Sequence, residues 1–161
     1  MKTLLSFFLL ITLSSLTIAQ TTAIPDANFE QALINLGLDI APINGSIPTA
    51  IINTVSSLNV SNKNITNLTG IEDFTSLTTL NCQTNQLTNL DITQNTALTD
   101  LDCGVNQLTS IDISQNTALT WLSCYNNLLS SLNVIQNTNL VYLFCHSNQL
   151  TSLNIIQNIS L

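Results

Sequence analysis

The sequence predicts an α/β-type solenoid: a right-handed coil with a short parallel β-sheet along its concave face and a helical cap at its N-terminal end. Three observations predict it. From Leu77 the chain repeats itself every 21 residues, and each block carries an alternating apolar pair suited to a short strand. A helix-like segment with start and stop signals precedes the array.

The four blocks are LTTLNCQTNQLTNLDITQNTA, LTDLDCGVNQLTSIDISQNTA, LTWLSCYNNLLSSLNVIQNTN and LVYLFCHSNQLTSLNIIQNIS, without an insertion. Each contains L-x-x-L-x-[L/C]-x-x-N-x-L, the signature of a leucine-rich repeat. Positions 4 and 6 of a block alternate inward on a strand: Leu80 with Cys82, Leu101 with Cys103, Leu122 with Cys124, Leu143 with Cys145. Leu87, Leu90 and Ile92, and in the next block Leu108, Ile111 and Ile113, fill the return side of the coil. A single coil buries too little to offset the ordering of its backbone, so stability belongs to the stacked array and its ends need caps.

Asn85, Asn106, Asn127 and Asn148 hold position 9, where the chain bends out of the strand; a short amide there can bond backbone groups of the next coil. Asn95, Asn116, Asn137 and Asn158 recur at position 19, which makes each block two related halves. Upstream, Val55–Ser76 is a 22-residue variant that keeps the apolar spacing through Val55, Leu58, Val60, Ile65, Leu68, Ile71 and Phe74. Lys63 replaces asparagine at its position 9, so the ladder is expected to begin with Asn85. Pro25 to Ile34 reads as a helix capped by Asp26 and stopped at Gly37, placed to cover the first coil. The organisation expected is a signal peptide over 1–19, an N-terminal helical cap over 20–54 and leucine-rich repeats over 55–161.

These residues, above all VSSLNVSNKNITNLTGIEDFTSLTTLNC, resemble bacterial secreted leucine-rich-repeat proteins, including the internalin-like group, from about Ile24 to Leu161. The resemblance implies a curved solenoid, export, and a role in surface attachment or protein recognition. It also implies further repeats and a C-terminal cap. The chain stops at Leu161, the first residue of another coil, so an open edge that favours self-association is expected.

Charge narrows the partners. Lys2 and Lys63 are the only cations against nine carboxylates, for a net charge of −7. This lacks the basic surface that nucleic acid requires, so no nucleic acid is expected as a partner. Met1-Lys2, the apolar run Leu4–Leu13 and the small residues Thr17-Ile18-Ala19 form a signal peptide, with cleavage expected after Ala19. Ser14, Ser15 and Thr17 dilute the run below what a membrane span needs, so the mature chain is expected to be secreted or at the cell surface without inserting in the membrane.

Cys82, Cys103, Cys124 and Cys145 share one repeat position, which marks them as small core residues; a disulfide between adjacent coils is the other reading. Four thiols in a line cannot converge on one ion, so no metal or other cofactor is expected. His146 is the only histidine and no nucleophile accompanies it, so no catalytic residues are assigned. Asp100 and Asp102, two apart, read as solvated charges ahead of a calcium or paired-acid site. Asp91 and Asp112, followed by Asn133 and Asn154, mark a polar outer row at position 15. The N-x-S/T triplets beginning at Asn44, Asn59, Asn64, Asn67 and Asn158 follow from composition and carry no inference of glycosylation.

Positions 3, 5 and 7 point outward from the strands. In the first two blocks they hold Thr79, Asn81, Gln83, Asp100, Asp102 and Gly104; in the last two, five of the six hold rings, Trp121, Tyr125, Tyr142, Phe144 and His146. Stacked strands about 4.8 Å apart would gather these into one patch with Asp100 at its edge. Such a patch can bind a sugar or anchor a peptide, or it can serve only as cross-strand packing. The expected function is a binding or adhesion module that recognises a protein or glycan ligand through the concave face. A structural spacer, or a fragment of a larger surface protein, is the alternative, and an enzyme comes last.

Overall fold

The computed structural model describes residues 20–161. The leader assigned to residues 1–19, Lys2 included, lies outside the described residues.

The N-terminal region opens with β1 (Thr21–Ala23), followed by α1 (Ala27–Asn35), β2 (Ser46–Pro48) and α2 (Thr49–Ile52); β1 and β2 pair antiparallel. Asp26 caps α1 by accepting hydrogen bonds from the amides of Asn28 and Phe29 at 2.9 and 3.0 Å. Its other carboxylate oxygen accepts from the amides of Thr66 and Asn67 and the hydroxyl of Thr66, tying the helix start to the first coil. Gly37, at φ 73°, takes the left-handed turn that ends the helix. Glu30 is fully buried, and its carboxylate accepts from the amides of Asn44 and Gly45, fixing the loop that leads into β2. The sequence signals only α1 here. The two three-residue strands and the four-residue helix are too short to carry a hydrophobic period.

Five strands then follow one per coil: β3 (Ser57–Asn59), β4 (Thr79–Asn81), β5 (Asp100–Asp102), β6 (Trp121–Ser123) and β7 (Tyr142–Phe144). They form one parallel sheet in chain order, with Leu58, Leu80, Leu101, Leu122 and Leu143 aligned across it. These leucines and the position-6 residues point into the coil, where Leu87, Ile92, Leu108, Ile113, Leu129 and Val134 meet them from the return side. Gly70, at φ 102°, brings the variant coil against the cap: a Cβ there would come within 2.6 Å of the Ala23 carbonyl oxygen. Burial weakens at the last coil, where Leu143, Cys145, Leu150 and Leu153 are only partly covered.

Two asparagine ladders hold the coils in register. At position 9, Asn106 Oδ1 accepts from the Leu87 amide at 3.0 Å, while its Nδ2 donates to the carbonyls of Cys82 and Cys103 at 3.1 and 3.0 Å. Asn127 and Asn148 repeat this pattern. Besides its own coil, the coil bonded is therefore the preceding one, where the sequence predicts the next. The left-handed residue at position 8 sets the bend, and the groups within reach of the Asn106 amide there are the preceding coil's Leu87 amide and Cys82 carbonyl. Asn85 accepts from the amides of both Lys63 and Ile65 of the variant coil, whose own position 9 is Lys63. At position 19, Asn95, Asn116, Asn137 and Asn158 are buried and donate Nδ2 to two carbonyls each in or beside the preceding coil's return turn, Asn116 to Ile92 and Asn95 at 3.0 and 2.9 Å.

Side chains also build the turns. Asp91 accepts from the Thr93 amide and hydroxyl, and Asp112, Asn133 and Asn154 accept from the amides two residues on, so the position-15 row is a row of Asx turns. These bonds hold the Asp91 and Asp112 carboxyls below the ordinary 3.8. Position 8 is left-handed in every coil: Asn62, Thr84, Val105, Asn126 and Ser147 all have φ between 52° and 56°.

Candidate functional site

The outward face of β5–β7 is set by strand register. Asp100 lies opposite Trp121 and Trp121 opposite Tyr142, while Asp102 lies opposite Ser123 and Ser123 opposite Phe144. Parallel pairing in register stacks like positions, so a block-to-block change in residue type becomes a change across the sheet.

Trp121 is the hub. Its ring centroid is 5.1 Å from that of Tyr142 and 5.1 Å from that of Phe144, with interplanar angles of 45° and 42°. These are the tilted contacts that aromatic quadrupoles favour. The cluster covers Ser123, which is buried although its position faces outward. Yet the cluster remains in water: Trp121 is 37% exposed, Phe144 38% and Tyr142 53%.

Tyr125 and His146 form a second row, their rings stacked at 5.1 Å and 19°. The Tyr125 ring lies back over Gly104 and carries its hydroxyl to 3.5 Å from Gln83 Oε1. A Cβ at residue 104 would fall 2.4 Å from Tyr125 Cε1, so the glycine is the space in which the ring lies. The first row and the second enclose a shallow depression of about 320 Å³, lined by Gln83, Asp102, Trp121, Ser123, Tyr125, Phe144 and His146. A neighbouring depression of about 240 Å³ continues it over Thr79, Asn81, Asp100 and Asp102.

The structure thus brings Trp121, Tyr142 and Phe144 together, sets Tyr125 and His146 beside them, and places Asp100 in the adjoining depression. Sequence reasoning placed Gln83 and Gly104 on the outward face without assigning them to the patch, and it missed Ser123. The signal for Gly104 was present: a lone glycine in a position that the other repeats fill with Gln83, Tyr125 and His146. Asp102 has a local duty as well, accepting the Gly104 amide at 3.1 Å, as Asn81 does for Gln83 one coil earlier.

All four cysteines are free thiols. Burial pushes the Cys82 and Cys124 thiols up to about 12, with the Asp102 charge adding to both, and raises Cys103 well above its ordinary value. Cys145, in the less covered last coil, is raised for the same reason. No group of three or more histidine, cysteine or acidic side chains suited to a metal occurs among the described residues. Nor is any described helix long and apolar enough to cross a membrane.

In-register parallel strands, one per coil, two asparagine ladders and a leucine-lined interior define a leucine-rich-repeat solenoid. No protein-family model and no curated protein matches the chain. Solved structures do. The functional domain of InlJ from Listeria monocytogenes, which includes a cysteine ladder, is similar at 39% identity and TM-score 0.81, over 89% of this chain and 32% of that one. An internalin, InlF, also from Listeria monocytogenes, shares the fold at 23% identity and TM-score 0.68, over 92% of this chain and 51% of that one. A leucine-rich-repeat protein of Leptospira interrogans matches at 26% identity and TM-score 0.62, over 68% of this chain and 30% of that one. The chain is a bacterial internalin-like leucine-rich-repeat protein, and it spans about a third of the length of the InlJ domain structure it matches.

Proposed function

We propose that this protein is an exported, non-enzymatic binding or adhesion module that takes a protein or glycan ligand on the concave face of its sheet, centred on Trp121, Tyr125, Tyr142, Phe144 and His146. The observation that carries the reading is the aromatic cluster itself. Three large rings on two adjacent strands stay more than a third exposed although the fold has buried core available to it. Contiguous exposed aromatic surface on a rigid scaffold is the form interaction sites take.

The similarity to internalin-type repeats supports a recognition role, and the leader-like N-terminus supports export. A spacer role would need only the solenoid and leaves the exposed rings without a purpose.

Screening the mature protein on glycan and peptide arrays, and repeating each hit with Trp121→Ala, tests the reading. A hot-spot ring contributes about 2 kcal/mol or more, so hits should weaken at least about 30-fold with the fold intact. Hits that bind parent and variant equally would place the site elsewhere.

A further inference from the structure

We infer that the ligand is an extended protein segment carrying a lysine or arginine next to an apolar side chain, with the cation held by Asp100 and Asp102 and the apolar group by the Trp121 cluster. This rests on the reading of the strand face as the ligand surface and specifies its partner.

Charge complementarity carries the argument. Asp100 and Asp102 flank Leu101 on β5 and project from the same face as Trp121 on the next strand. Each spends one oxygen locally: Asp100 Oδ2 accepts from the Thr99 hydroxyl at 2.7 Å and Asp102 Oδ1 from the Gly104 amide. Each keeps the other oxygen for a donor. Lys63 is the only cation in residues 20–161, so the chain offers these carboxylates almost nothing of its own. A guanidinium or ammonium laid between them would also meet the electron-rich faces of the neighbouring rings.

Ring geometry argues against a flat sugar as the main occupant. Trp121 is inclined by more than 40° to both Tyr142 and Phe144, so these rings present no common plane. The spacing suits a peptide. From β5 to β7 is two strand separations, about 9.6 Å, and an extended or polyproline-like segment advances about 3.1 to 3.4 Å per residue. A basic residue and an apolar one two or three positions apart would reach both halves of the groove.

The test is a peptide library with every position varied, probed with the mature protein, alongside a neutral chito-oligosaccharide. Selected peptides are then titrated against the parent, Asp100→Asn/Asp102→Asn and Trp121→Ala. Asn81 makes the same turn one coil earlier, so Asp102→Asn removes the charge and keeps the backbone bond. The expected result is enrichment of arginine or lysine two or three positions from a large apolar residue. Affinity should fall about tenfold in the double asparagine variant, and by a similar factor between about 0.05 and about 0.5 M salt. Uncharged peptides or the oligosaccharide binding the parent and the double variant equally, but not Trp121→Ala, would overturn the basic-segment inference and leave the strand face as the site. No binding that Trp121→Ala weakens would overturn both.

Discussion

Replacing Asn106 by alanine tests whether the position-9 ladder holds the coils together. The bonds lost are unequal. The Leu87 amide has Asn106 Oδ1 as its hydrogen-bond acceptor, so the substitution leaves it bare. The carbonyls of Cys82 and Cys103 each keep a second donor, Asn85 Nδ2 at 2.9 Å and Asn127 Nδ2 at 3.1 Å. One orphaned buried donor costs about 1 to 3 kcal/mol, and the carbonyls of Cys82, Cys103 and Gly104, each left with one donor fewer, add a smaller amount, so about 2 kcal/mol is expected. With a urea slope of about 2 kcal/mol per M, the midpoint followed by circular dichroism should fall by about 1 M. Asn85→Ala should cost more, since Asn85 serves the amides of both Lys63 and Ile65. An unchanged midpoint for Asn106→Ala, or an Asn85→Ala variant milder than it, would refute the reasoning.

Val105 is a β-branched residue held at φ 54°, so Val105→Asn should stabilise by about 1 kcal/mol and raise Tm by about 2 to 4 °C; a lower Tm would show that packing outweighs the strain. Burial raises the Asp26 carboxyl, but hydrogen bonds from Thr66, Phe29 and Asn67 outweigh it and hold it below the ordinary 3.8. A depressed carboxyl contributes stability that is present above its unfolded value and lost as pH falls through its folded one. The protection of α1 amides relative to their intrinsic exchange rates should therefore fall below about pH 4, with a weaker pH response in Asp26→Asn. Cys82, Cys103 and Cys124 should resist alkylation in the native protein at pH 8 while Cys145 reacts slowly, and all four should react in denaturant. The raised values of Cys82 and Cys124 also predict stability that is full below the ordinary 9.0 and lost as pH rises toward about 12.

The solenoid was legible because its determinants are periodic. Leu80, Leu101, Leu122 and Leu143 fall 21 residues apart, and a parallel in-register sheet converts that interval directly into neighbouring strands. The same conversion makes the outward rows readable, so the repeat interval alone sets Trp121, Tyr142 and Phe144 side by side. What the interval does not encode is the direction a side chain takes between coils. Asn106 reaches back, not forward, and Tyr125 lies over Gly104 of the coil before it. Both depend on which neighbour offers unfilled groups or space. The small β1–β2 sheet was not readable because its partners lie on either side of α1 and pair through backbone atoms, which leave no pattern in residue type.

The central claim is that a ligand seats on the aromatic face of the sheet, and the protein carries a single probe for it. Trp121 is the only tryptophan in the chain, so intrinsic fluorescence reports that face alone. Titrating an array-selected ligand into the mature protein should change the tryptophan emission saturably, with a midpoint equal to the Kd measured by anisotropy of the labelled ligand. Saturating binding by anisotropy with no change in tryptophan emission would contradict the account.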